Sequence, residues 1–229
     1  MTELVLYLGS KPDIVNNKKS ITENLFLSGH QKEFYDLQIT QDLSVFSVVF
    51  HPQGLMNFFN LPLHELYDQN VPLKYINKKL EQELFPRLQN TFSFQERVNL
   101  IEYHFTELLK KNQISSEFQR ISKIANLIKE HHGKVTIDSL ASQACLSRKQ
   151  FERKFAEFIG TTPKQYLKTI RLQLALYLKS QNEKFNTTAI AHESGYYDQS
   201  HFINEFKCMT GITPKQYFRN NQSFSDFFS

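Results

Sequence analysis

The chain has 229 residues, 40% of them hydrophobic and 21 of them Phe, with no Trp and a formal net charge of +4. That length favours two modest domains, and that apolar content excludes an intrinsically disordered chain. No run approaches the roughly 18 consecutive apolar residues of a membrane helix, and the N-terminus lacks a charged-then-apolar signal layout, so a cytoplasmic protein without a membrane partner is expected.

The positive charge is placed unevenly. Residues 1–118 carry 11 Lys and Arg against 14 Asp and Glu, whereas residues 119–221 carry 16 against 8. One half is thereby suited to a polyanion and the other is not. The two cysteines, Cys145 and Cys208, stand amid apolar residues and read as small core residues of a reducing compartment.

Along residues 1–60, the apolar runs Leu4 to Leu8, Leu25 to Leu27 and Val45 to Phe50 predict strands, and His51-Pro52-Gln53-Gly54 predicts a turn. Helical spacing begins at Leu61. It is clearest after Ser93, which forms a capping box with Glu96, and Val98, Ile101, Phe105 and Leu108 then mark one helix face to about Lys111. Periodicity stops over Asn112 to Ser116, the predicted domain boundary. Beyond Arg120 only helical patterns occur, beginning with the stripe Ile121, Ile124, Ala125 and Ile128, which ends at His131-His132-Gly133.

The second half contains a duplication. Phe151, Phe155, Gly160 and Thr162-Pro163-Lys164-Gln165-Tyr166 recur 51 residues later as Phe202, Phe206, Gly211 and Thr213-Pro214-Lys215-Gln216-Tyr217, with half the positions from Phe151 to Tyr166 identical. In each Thr-Pro-Lys-Gln segment, Thr suits the N-cap, Pro the first helical position and Gln the third, while each Gly suits the end of the preceding helix. Upstream, Thr136 caps a short helix, Ala144-Cys145-Leu146 turns, and Ser147 caps a second helix. In the second copy Thr187 or Thr188 begins a helix, Gly195-Tyr196-Tyr197 turns, and Asp198 caps the next. Each copy therefore predicts a helix-turn-helix unit. Lys164 to Ser180 predicts one joining helix of roughly 25 Å, with Leu167, Ile170, Leu174 and Tyr177 or Leu178 inward. A joining helix of that length suits two reading helices about 34 Å apart.

With the Phe residues inward, the free face of the first candidate recognition helix presents Ser147, Arg148, Lys149, Glu152, Arg153 and Lys154. That of the second presents Gln199, Ser200, His201, Asn204 and Lys207. Arg and Lys can donate to guanine, Asn and Gln can pair with adenine, and Glu can accept from cytosine N4 in the major groove of double-stranded DNA.

These residues carry a resemblance. The segment from about Ile121 to Asn220 resembles the DNA-binding domain of the AraC/XylS regulators, through Ile190-Ala191, Gly195-Tyr196, Gln199-Ser200-His201-Phe202, Phe206-Lys207, Gly211, Pro214 and Tyr217. The resemblance implies a seven-helix double helix-turn-helix fold and transcription control, commonly activation through contact with RNA polymerase. It implies base-edge readers at Lys149, Glu152, Arg153, Gln199, Ser200, His201 and Asn204. Two departures stand out. Cys145 occupies a turn position where Gly is frequent, and Asn204 and Glu205 make the second recognition helix less basic than in many relatives. The N-terminal half looks similar to the short sensor domains of some members, which implies a partial cupin-like β layer plus helices, for ligand sensing or dimerisation.

The expected layout is α+β then all-α: residues 1–116 as a sensor or dimerisation domain, 117–221 as the DNA-binding domain, and 222–229 as a tail. A small-molecule effector and a homodimer are further partners this layout allows. There is no nucleophile elbow, phosphate loop or metal-spaced His pair, and His30, His51, His64 and His104 are scattered. No catalytic residue, metal or cofactor is expected. The competing expectation is a protein-interaction module in which DNA binding has weakened.

Overall fold

The computed structural model describes residues 2–15, 19–181 and 186–220 and divides the chain into two compact units. The first comprises Met1–Ser122 with Ala156–Thr161, and the second comprises Lys123–Phe155 with the residues from Thr162 onward. The tail 222–229, with Phe224, Phe227 and Phe228, lies outside the described residues.

Six strands occur in the first unit: β1 Thr2–Tyr7, β2 Asp13–Val15, β3 Leu25–Ser28, β4 Asp36–Gln38, β5 Val45–Phe50 and β6 Asn70–Pro72. Four of them form an antiparallel sheet in the order β5-β1-β3-β6, and β2 pairs with β4. Strand β1 is interior to the sheet and buried on both faces. Leu4 and Leu6 enter the main core, whereas Val5 and Tyr7 join Phe26 in a smaller cluster on the other side. Burial on both faces explains why the run from Leu4 to Leu8 shows no polar alternation. Edge strand β5 does alternate, with Phe46 and Phe50 buried and Val45 and Val49 exposed.

The helical reading from Leu61 needs correction at β6. Asn70–Pro72 pairs with β3 as the outer strand, where the missing N–H of Pro72 costs little. Helices α1 Leu73–Ile76, α2 Lys78–Asn90 and α3 Phe94–Lys111 follow. The Asn77 side chain accepts from the Leu80 N–H at 3.0 Å to start α2, and Leu80, Leu84 and Leu88 bury one face of it. Ser93 Oγ accepts from the Glu96 N–H at 3.5 Å to start α3, which buries Ile101 and Phe105. The Phe105 ring lies 5.7 Å from Phe50 and 4.8 Å from Phe58, joining sheet, loop and helix in one core.

From Ser116 on, the described residues form helices only: α4 Ser116–Glu130, α5 Ile137–Gln143, α6 Arg148–Ile159, α7 Pro163–Gln181, α8 Thr187–Glu193, α9 Gln199–Thr210 and α10 Pro214–Asn220. Their punctuation follows residue chemistry. Thr136 Oγ1 accepts from the Ser139 N–H at 3.1 Å, Asn186 Oδ1 from Ala189 at 2.7 Å, and Asp198 Oδ1 from His201 at 2.7 Å. Helix α8 thus begins at Thr187, as the sequence allowed, but Asn186 caps it. Gly160 and Gly211 take the left-handed conformation, at φ 85° and 81°.

The duplication is visible in the packing. Phe151 and Phe155 lie 5.5 Å apart and Phe155 and Tyr166 5.5 Å apart; their counterparts Phe202–Phe206 and Phe206–Tyr217 are separated by 5.6 and 5.3 Å. All four Phe side chains are fully buried. Helix α7 spans about 28 Å at about 1.5 Å per residue over its 19 residues. It buries Leu167, Ile170, Leu172 and Ala175.

Candidate nucleic-acid interface

Each unit of the duplication sets a recognition helix by the same sequence of contacts. In the first turn the N–H groups of Ala144, Cys145 and Leu146 donate to Leu140, Ser142 and Ala141; in the second those of Ser194, Gly195 and Tyr196 donate to Ile190, His192 and Ala191. Cys145 and Gly195 are equivalent, and both have positive φ, 53° and 79°. The first turn therefore keeps the geometry glycine favours and holds a side chain in it. From that point the second turn is one residue longer, and the additional Tyr197 is 94% exposed.

Helices α6 and α9 have equal length, 12 residues each. Ser147 starts α6 through a reciprocal capping box: its N–H donates to Gln150 Oε1 at 3.1 Å, and the Gln150 N–H donates to Ser147 Oγ at 3.4 Å. The first side chain of each recognition helix is tied to the second residue of the helix before it. Arg148 Nη1 donates to Asp138 Oδ1 at 3.2 Å, whereas Thr188 Oγ1 donates to Gln199 Oε1 at 3.1 Å. One tie is ionic and the other neutral.

The outer faces are open. Ser147, Arg148, Lys149 and Arg153 are exposed, while Glu152 and Lys154 are half-buried. Gln199, Ser200, His201, Asn204 and Lys207 are all exposed. Arg148 also donates from Nε to Glu152 Oε1 at 3.2 Å, so its guanidinium bridges two carboxylates, whose bonds and charge hold its pKa above the ordinary value. Lys149 and Arg153 form no ion pair among the described residues. They are the open cations of α6. On α9 the only cation other than histidine is Lys207, and the remainder of the face is amide, hydroxyl and imidazole.

Two sequence expectations are corrected. Cys145 and Cys208 are exposed free thiols, not core residues, because one occupies a turn and the other the outer side of α9. Glu205, read in the sequence as making the second recognition helix less basic, does not lie on its outer face. Its side chain is 4% exposed, lies beneath the helix, and pairs through Oε2 with Lys168 Nζ of α7 at 2.9 Å and with His201 Nε2 at 3.6 Å. The signal was available: Glu205 follows Phe202 by three residues and precedes Phe206 by one, which puts it on the inward stripe. Tyr196 is buried nearby; burial and then the Glu205 charge raise its phenol above the usual range. Among the described residues no group of acidic, His or Cys side chains could hold a metal, and no helix is long and apolar enough to cross a membrane.

Two family models match: a helix-turn-helix domain over residues 140–220, and a domain of unknown function (DUF6597) over residues 2–72. An uncharacterized HTH-type transcriptional regulator of Haemophilus influenzae is 40% identical over 81 residues, covering 35% of this chain and 27% of that protein. The RCS-specific HTH-type transcriptional activator RclR of Escherichia coli is 39% identical over 82 residues, covering 36% of this chain and 28% of that protein. These matches therefore span under a third of either relative's length. The structure of ToxT from Vibrio cholerae aligns over 97% of this chain and 91% of its own at a TM-score of 0.53 and 14% identity, a likeness of fold. Over residues 140–220 the chain carries a helix-turn-helix domain, matched there by transcriptional regulators and similar to that of the AraC/XylS family which its sequence resembles.

Proposed function

We propose that the protein binds specific sequences in double-stranded DNA through α6 and α9 and thereby regulates transcription. Regulators of this family act by binding and are not enzymes. The observation that carries the reading is the pairing of two equally long, equally anchored helices whose outer faces are polar and open. In this scheme Lys149, Glu152 and Arg153 read base edges from α6, with Ser147, Arg148 and Lys154 at its phosphate-facing margins. Gln199, Ser200, His201 and Asn204 read from α9, and Lys207 contacts phosphate. The functional division is residues 1–116 for sensing or dimerisation and 117–221 for DNA.

Activation is the favoured sign of control, supported by the similarity to the activator RclR, and RNA polymerase is the partner it requires. A homodimer is compatible with the scheme but not needed, since one chain carries both readers. A small-molecule effector would occupy the first unit, where an opening of about 340 Å³ is lined by Phe58, Leu61, Val71, Ile76, Asn60 and Asn77. The cytoplasm is the compartment where such a regulator meets DNA.

A salt titration tests the reading. Affinity for DNA falls steeply and linearly on a log–log plot as salt rises, because each phosphate contact releases counterions. Salt-insensitive binding, or none at low salt, would contradict it.

A further inference from the structure

Glu205 is an ionisable side chain placed where its helix packs. Residues Phe202 and Phe206 on the same stripe are fully buried, and the carboxylate is 4% exposed between α9 and α7. A buried carboxylate requires compensation, and here two groups face its Oε2. Lys168 of α7 reaches Oε2 at 2.9 Å, and His201 places Nε2 3.6 Å from Oε2. Tyr196 further confines the imidazole, its ring lying 5.5 Å from that of His201 at an interplanar angle of 79°. His201 nevertheless remains 46% exposed on the outer face of α9.

This arrangement treats the two ring nitrogens differently. A carboxylate beside one imidazole nitrogen keeps the proton on that nitrogen and leaves the other as an acceptor in the neutral ring. We infer that Glu205 is a positioning residue for specificity: it holds His201 with Nε2–H directed inward, so that Nδ1 faces the groove as an acceptor. Such an acceptor selects a base that presents an amino group at the major-groove edge, adenine N6 or cytosine N4, over guanine or thymine on the contacted strand. In the first helix the equivalent position is Lys154, so this device is confined to α9. The inference rests on the reading above that His201 contacts a base edge.

The test is selection of bound DNA from a random pool at pH 8, with the full chain and three variants. For the wild type, one position of the block read by α9 prefers A or C by about tenfold. His201→Ala and Glu205→Leu both remove that preference at that position. Glu205→Gln weakens it less than Glu205→Leu does, because the amide keeps a carbonyl oxygen beside Nε2, and the preferences read by α6 stay unchanged throughout. Circular dichroism melting confirms that each variant is folded. If His201→Ala removes a preference that Glu205→Leu leaves intact, or Glu205→Leu weakens all positions evenly, the positioning role is overturned. If His201→Ala changes no position, the base contact by His201 is overturned and the inference with it.

Discussion

At Cys145 a β-carbon occupies a left-handed turn position, φ 53°, that its counterpart Gly195 fills without strain. The thiol is exposed, so little packing is lost when it is removed. Cys145→Gly is therefore expected to stabilise the protein by about 1 kcal/mol, read as a rise in the denaturation midpoint at constant slope. A fall would mean that the side chain makes a contact worth more than the strain. The Glu205–Lys168 pair predicts an asymmetry. Lys168→Met strands a carboxylate that is 4% exposed and costs about 3 to 5 kcal/mol. Glu205→Leu leaves an ammonium whose side chain is 32% exposed and can turn to water, so it costs much less. Chemical denaturation of the two variants side by side gives the order. The sequence indicated the positive-φ position at Cys145, because a turn repeated in two copies carries its conformation from one to the other. It did not reveal that Glu205 is paired, because the partner lies on α7, 37 residues away in the chain.

For the elements, the caps were the most legible feature. Ser93, Thr136, Ser147 and Asp198 all start helices where hydroxyl, carboxylate and the residue three positions on fit the local rule. The short strands were not legible. Strand β4 is wholly exposed and has no buried face to impose a period of two, β6 is three residues long and ends in Pro, and both depend on a partner distant in sequence. Equivalent anchors in the two copies should fail equivalently. Phe155→Ala and Phe206→Ala each remove a fully buried ring and are expected to destabilise by about 3 to 5 kcal/mol. Footprinting of the folded fraction should show each variant losing protection mainly over the DNA segment its own helix contacts. Equal loss over both segments would contradict independent anchoring.

Across the molecule, the unit carrying the sheet has its own response to acid. His30 and His104 are buried in it, and desolvation, the leading cause for both, depresses their pKa values, that of His30 strongly. Each binds fewer protons folded than unfolded, so their contribution to stability is complete above the ordinary histidine value near 6.5 and is lost as pH falls below it. The expected outcome is a melting temperature that drops between about pH 6.5 and 5, with a shallower drop for His30→Gln. A variant as steep as the wild type would assign the loss to other groups.

The division of positive charge, concentrated after residue 118, was plain from composition and agrees with two recognition faces in the second half. The central claim is that α6 and α9 read DNA together from one chain. The most direct measurement is the length and layout of the motif recovered when the wild-type protein selects from random double-stranded DNA. The account predicts two blocks of base preference about one helical turn, roughly 10 bp, apart, the second altered by substitutions in α9 alone. A single block, or no preferred sequence at all, would contradict it.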